Sequence, residues 1–109
     1  MLPTLSPGEY VLFDRLAYRR RAPRRGEIVL AEEPGTSGRR VVKRVAGGPG
    51  ESVSLDGREW DLGEDEYLLV GDDLAASRDG RDWGPVGRRA ILARGWLVYW
   101  PPARMRWLS

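Results

Sequence analysis

Lys43 is the single lysine among the 18 Lys and Arg residues of the chain, so arginine serves at every other basic position. A guanidinium stays protonated in any protein environment, whereas an ε-ammonium placed among apolar groups can lose its proton near neutral pH and act as a base. The chain holds no His and no Cys, which removes the usual general base and the most reactive nucleophile. If it carries acid–base or nucleophilic chemistry, Lys43 is the leading candidate for the work. Its neighbours, Val41, Val42, Arg44 and Val45, are what a strand would supply to surround a lone amine with β-branched side chains. On residue count alone, a single lysine is equally what an arginine-rich composition leaves behind.

The elements that must hold this residue read as short strands divided by Gly and Pro. Strands are expected over residues 9–13, 26–31, 39–46, 51–55, 58–62, 66–70 and 90–100, the last with a break near Gly95. Gly47-Gly48-Pro49-Gly50 ends the lysine strand in a turn. Asp56-Gly57 favours a two-residue type I′ hairpin between the fourth and fifth strands. No stretch of ten or more residues has helical periodicity. The expected fold is all-β: one domain over 1–109, a small, partly closed antiparallel barrel or coiled sheet.

With 41% hydrophobic and 31% charged residues, the composition is that of an ordinary globular chain. No segment approaches the roughly 18–20 apolar residues of a membrane span, and the residues after Met1 do not read as a secretory leader. Without Cys or His, neither a disulfide nor a catalytic zinc site is expected, and no metal or organic cofactor is implied. The net charge of +2 is spread with mixed signs, unlike a nucleic-acid footprint. The exception is the run from Arg19 to Arg25, with five arginines. A solvated loop is its favoured reading, and contact with anionic lipid headgroups is the functional one. Trp83, Trp96 and Trp100 are expected as core or rim aromatics, since they do not interleave with the arginines.

Four segments in order resemble the type I signal peptidases, the S26 serine endopeptidases that use a Ser/Lys dyad. Met1-Leu2-Pro3-Thr4-Leu5-Ser6-Pro7-Gly8-Glu9 is similar to that family's Ser-Met-x-Pro-Thr-Leu-x-x-Gly-Asp box without its first residue. Arg25-Gly26-Glu27-Ile28-Val29 resembles an Arg-Gly-Asp-Ile-Val strand. Val42-Lys43-Arg44-Val45 with Gly48-Pro49-Gly50-Glu51 is similar to the box holding the base. Gly71-Asp72-Asp73 through Ser77, Asp79, Arg81 and Trp83-Gly84-Pro85-Val86 resembles the Gly-Asp-Asn…Ser-x-Asp-Ser-Arg-x-Trp-Gly box.

The resemblance implies a role for each matched residue. Lys43 would be the general base and Ser77 the hydroxyl that orients its amine. A neutral hydroxyl suits that task, because a carboxylate would raise the lysine's pKa. Arg44, Asp72, Asp79 and Arg81 would form ion pairs that hold the last box against the lysine strand. Met1, Leu2 and Pro3 would contact substrate. The implied substrate is an extended peptide or preprotein with small residues at −1 and −3, bound as an added strand and cut at the extracytoplasmic face of the cytoplasmic membrane. Asp73, Leu74 and Gly80 depart from the family's Asn, Arg and Ser, which puts substrate contacts in that loop in doubt more than the fold.

The family's nucleophilic serine, and the oxyanion donor that goes with it, would lie just before Met1. The chain as given is therefore expected not to cleave peptides by this mechanism, and Met1 to sit close to Lys43 at the place of the missing serine. Thr4 and Ser6 are not expected to substitute. A fragment or internal start of a longer protein with an upstream serine and membrane anchor is the favoured explanation. Two other classes stand against the enzyme: an inactive peptide-binding module of the same fold, and a small basic nucleic-acid-binding barrel, which the mixed charge disfavours.

Overall fold

A computed structural model of the protein describes residues 8–35, 38–71 and 79–108. The strands are β1 (Tyr10–Asp14), β2 (Ile28–Glu32), β3 (Arg40–Gly47), β4 (Ser52–Leu55), β5 (Arg58–Asp61), β6 (Leu68–Val70), β7 (Ile91–Trp100) and β8 (Arg106–Trp107). Two single-turn helices, α1 (Ala17–Arg20) and α2 (Gly80–Trp83), interrupt them. The main sheet runs β1-β7-β2-β3-β6 with β8 also on β7, and β4 and β5 form a separate hairpin. All these pairings are antiparallel. The fold is all-β as expected, but the sheet is not closed into a barrel: β1 and β6 end its order without pairing with each other.

Alternation explains β3. Lys43, Val45 and Gly47 are buried while Val42, Arg44 and Ala46 on the other face are partly exposed, as the two-residue side-chain period of a strand requires. Opposite β3, the buried residues Val29 and Ala31 of β2 pair with Lys43 and Val41. They join Tyr18, Val45, Tyr67, Leu69, Val86 and Ile91 in one apolar cluster, with Trp83 packed at its margin. The β4–β5 turn has Asp56 at φ 52° and Gly57 at φ 73°, the two positive values a type I′ turn needs.

Three features differ from the sequence reading. β7 continues through Gly95, where a Cβ would lie 3.2 Å from both Ile28 and Phe13 side chains, so this glycine permits close packing inside the strand and does not end it. A further short strand, β8, forms after Pro101-Pro102, and Trp107 on it stacks with Trp96 at 5.5 Å. The arginine run is solvated for the most part, with Arg19, Arg20, Arg24 and Arg25 exposed, but it is not one loop: Arg19 and Arg20 finish α1 and Arg25 Nε donates to the Ala46 carbonyl at 2.8 Å. Arg21 is the partly buried member and pairs with Glu27, whose buried carboxylate needs donors.

α2 packs against β6 so closely that a Cβ on Gly80 would fall 2.6 Å from the Leu69 carbonyl oxygen and 2.7 Å from Leu68 Cδ1. A backbone atom cannot swing aside as a side chain does. Gly80→Ala is expected to lower stability by about 1–3 kcal/mol through overpacking, read as a lower urea midpoint at unchanged m-value; an unaltered midpoint would show that α2 is free to shift.

Candidate active site

Lys43 lies in the middle of β3, opposite Val29, and is only 7% exposed. On β3's other side, Arg44 pairs with Val70 of β6, so the next step along the register brings Lys43 beside Gly71. Burial lowers the Lys43 pKa from its ordinary value; Asp79, Glu33 and Asp82 oppose the shift, and Arg81 reinforces it. Desolvation is thus the leading effect, and it favours the neutral amine that a base requires.

Asp79 is the most enclosed charge nearby, with no exposed side-chain surface. Its carboxylate accepts from the Gly71 backbone N–H at 2.8 Å, from the Arg81 N–H at 2.9 Å, and from Arg81 Nε and Nη2 at 3.0 and 2.6 Å. Burial alone would raise its pKa, but these donors hold the carboxyl below the usual range. The Asp82 carboxylate in turn accepts from the Asp79 N–H at 3.1 Å, which completes a reciprocal cap on α2. Arg81 reaches further: Nη1 donates to Asp56 at 3.0 Å, and its carbonyl accepts from Arg58 Nη1 at 2.8 Å. A buried carboxylate close enough to act on Lys43 would hold the amine protonated if left bare. The two-pronged guanidinium offsets part of it.

A second buried acid, Glu27, opens β2 at 6% exposure. It accepts from the Tyr18 hydroxyl at 3.0 Å and the Arg24 N–H at 2.8 Å, and forms ion pairs with Arg21 and Arg94. Burial would raise its pKa, but these donors keep it lowered. Arg94 also stands opposite Val29 on β7, two strands from Lys43 with Val29 between them. An open cleft of about 640 Å³ lies between the end of β2 and the segment after α2, lined by Glu32, Glu33, Pro85, Val86, Arg89 and Ala90 among others. Glu33 on its wall is one of the acids whose charge favours the Lys43 ammonium; Lys43 itself does not line the cleft.

Of the residues singled out from sequence, Lys43, Asp79 and Arg81 come together here. Arg44 Nη1 donates to the Gly26 carbonyl at 2.7 Å, and Asp72, the other acid expected in the ion pairs, lies outside the described residues. Ser77, Asp72, Met1, Leu2 and Pro3 lie outside the described residues, as do Thr4 and Ser6. Sequence reasoning missed Glu27 as a buried hub, although it sits in the Arg-Gly-Glu-Ile-Val segment, where an acid before a hydrophobic run was the available signal. It also missed Asp56 and Arg58 as partners of Arg81, for which no local signal exists. Among the described residues no group of His, Cys, Asp and Glu is arranged to hold a metal ion.

A family model described as signal peptidase, peptidase S26 matches residues 1–59 and 56–100. The chain is 35% identical over 115 residues to mitochondrial inner membrane protease subunit 1 of Schizosaccharomyces pombe, covering 100% of this chain and 72% of that protein. It is 27% identical to signal peptidase I of Leptolyngbya laminosa, over 96% of this chain and 66% of the relative. For a probable signal peptidase I-2 of Synechocystis the identity is 28%, over 100% and 63%. The chain therefore spans between 63 and 72% of the length of these relatives.

Two stability measurements test this electrostatic arrangement. Asp79→Ala strands the Arg81 guanidinium and is expected to cost about 3–5 kcal/mol in chemical denaturation at neutral pH. Because the native Asp79 pKa is lowered, the stability it contributes is present above the unfolded value and is lost as pH falls through the native one. The loss on substitution should therefore shrink in acid. Lys43 gives a slope of the same sign in a higher window: between its lowered native midpoint and the free-lysine value near 10.4, the unfolded chain binds more protons, so stability rises with pH. Lys43→Met should flatten that alkaline rise and be at least as stable as the parent at neutral pH. A parallel pH profile for the two proteins would contradict the burial of a neutral amine.

Proposed function

Because the chain belongs to the signal peptidase, peptidase S26 family, we propose that it is the base-carrying core of a Ser/Lys serine endopeptidase acting on preproteins. The observation that carries the reading is the lone lysine, buried in an apolar strand and pushed toward its neutral form. In this scheme Lys43 Nζ accepts the proton of a serine hydroxyl as its oxygen attacks the scissile carbonyl, giving a tetrahedral oxyanion. The resulting ammonium returns the proton to the leaving amine as the C–N bond breaks. Water then attacks the acyl ester with Lys43 again as base, releasing the new carboxylate and the serine. By the family's pattern Ser77 would orient the amine, and the attacking serine would take the box position ahead of Met1, with Met1, Leu2 and Pro3 beside the bound peptide.

The substrate is an extended segment with small residues at −1 and −3, bound by strand addition. The open cleft between the end of β2 and residues 85–90 supports room for such a chain. Among the described residues no helix is long and apolar enough to cross a membrane. Peripheral contact with the extracytoplasmic face of the cytoplasmic membrane is supported by the exposed Tyr10, Leu16, Trp100, Met105 and Trp107, a set rich in the aromatics that favour bilayer interfaces.

The test is cleavage of a peptide with alanine at −1 and −3 by a protein extended upstream with serine immediately before Met1 and the residues that precede it in the gene. Cleavage is expected in the extended form and absent in the 109-residue chain. Lys43→Ala in the extended form should lower kcat by about 10²–10⁴-fold, the usual contribution of a general base. An extended protein that binds the peptide without cutting it would favour an inactive peptide-binding module. Turnover by the short form that Ser6→Ala abolishes would move the nucleophile to a different residue.

A further inference from the structure

The β4–β5 hairpin lies outside the sheet that carries Lys43, yet two side chains at its tip reach α2. Asp56, in the turn itself, accepts from Arg81 Nη1 at 3.0 Å, and Arg58, the first residue of β5, donates to the Arg81 carbonyl at 2.8 Å. Arg81 is thus gripped at its backbone and at the one guanidinium nitrogen that Asp79 does not engage. Asp79 in turn accepts from Gly71, the residue that follows β6 beside Lys43. The chain of contacts runs from hairpin tip to Arg81, to Asp79, to Gly71.

We propose that the hairpin tip is a positioning clamp for the active site: Asp56 and Arg58 fix Arg81, and Arg81 fixes Asp79 and covers its charge. Arg58 also lies over the Trp60 ring at 4.7 Å, which orders the clamp from the hairpin side. The type I′ turn gives the arrangement its geometry, since it brings residues 56 and 58 to the same end of the hairpin. Among the described residues, the charges that act on Lys43 are those of Asp79, Glu33 and Asp82, which favour its ammonium, and of Arg81, which opposes it. A looser Arg81 therefore leaves Asp79 less covered and moves Lys43 toward its protonated form. The catalytic meaning of the clamp rests on the function proposed above; its structural effect does not.

The test uses the Lys43 titration, which is cleanly observable because a protein labelled with ε-¹³C-lysine gives one signal from its one lysine. The Asp56 side chain is 59% exposed and glycine is at ease at its φ of 52°, so Asp56→Gly leaves the core and the turn intact. Through space alone, removing a carboxylate would lower the Lys43 midpoint; the clamp predicts that Asp56→Gly raises it and speeds hydrogen exchange at the Gly71 amide. Asp56→Asn keeps an acceptor for Arg81 and should show neither effect. Ser52→Ala, which removes the hydrogen bond from Ser52 to Asp61 at the other end of the same hairpin, should also show neither. An unchanged or lowered midpoint in Asp56→Gly, or an equal rise in Ser52→Ala, would overturn the clamp. No step of the experiment requires cleavage, so failure of the clamp and failure of the peptidase reading remain distinguishable.

Discussion

A single amine in the middle of a buried strand sets the terms for everything around it. Taking an ammonium out of water costs several kcal/mol even after relaxation, and burial accordingly shifts Lys43 toward giving up its proton more readily than a free lysine. This works only while no carboxylate acts on it unopposed. The sheet supplies the apolar part: Val29 opposite, Val41 and Val45 on the same face of β3, and the cluster that includes Leu69 and Ile91 behind them.

The polar part is a matter of cancelling charges within the same space. Asp79 and Glu27 are both buried acids close to the lysine strand, and each is surrounded by arginine and backbone donors. Arginine suits these positions because its planar fork satisfies both oxygens of a carboxylate and never releases its proton. The same property makes it useless as the base. At this site the division of labour follows from chemistry: arginine at 21, 81 and 94, where a fixed positive charge must neutralise a buried acid, and lysine at 43, where the charge must be able to disappear.

Much of this was legible in the sequence because local rules acted in the same direction. The alternation around Lys43, the Asp56-Gly57 turn and the Gly-rich end of β3 each specify their conformation within a few residues. The Asp79–Arg81 pair was legible only through the order of the boxes. What could not be read depends on tertiary neighbours. Arg21 did not stand out from the solvated arginines around it, because its partner, Glu27, becomes a buried acceptor only once β2 packs in the sheet. The partners of Arg81 at residues 56 and 58 are invisible without knowing where a separate hairpin folds back. The extent of closure was likewise undecidable from strand patterns, since an open sheet and a barrel share the same alternation.

The account stands on the ionisation of one group, and that group is observable by itself. In protein labelled with ε-¹³C-lysine, the single side-chain resonance followed from neutral to alkaline pH reports the Lys43 midpoint directly. The structure predicts a midpoint below the ordinary lysine value, with the shift collapsing to that value when the protein is unfolded in urea. A midpoint in the native protein equal to that of free lysine would contradict it, because the amine would then be solvated and the strand would carry no base.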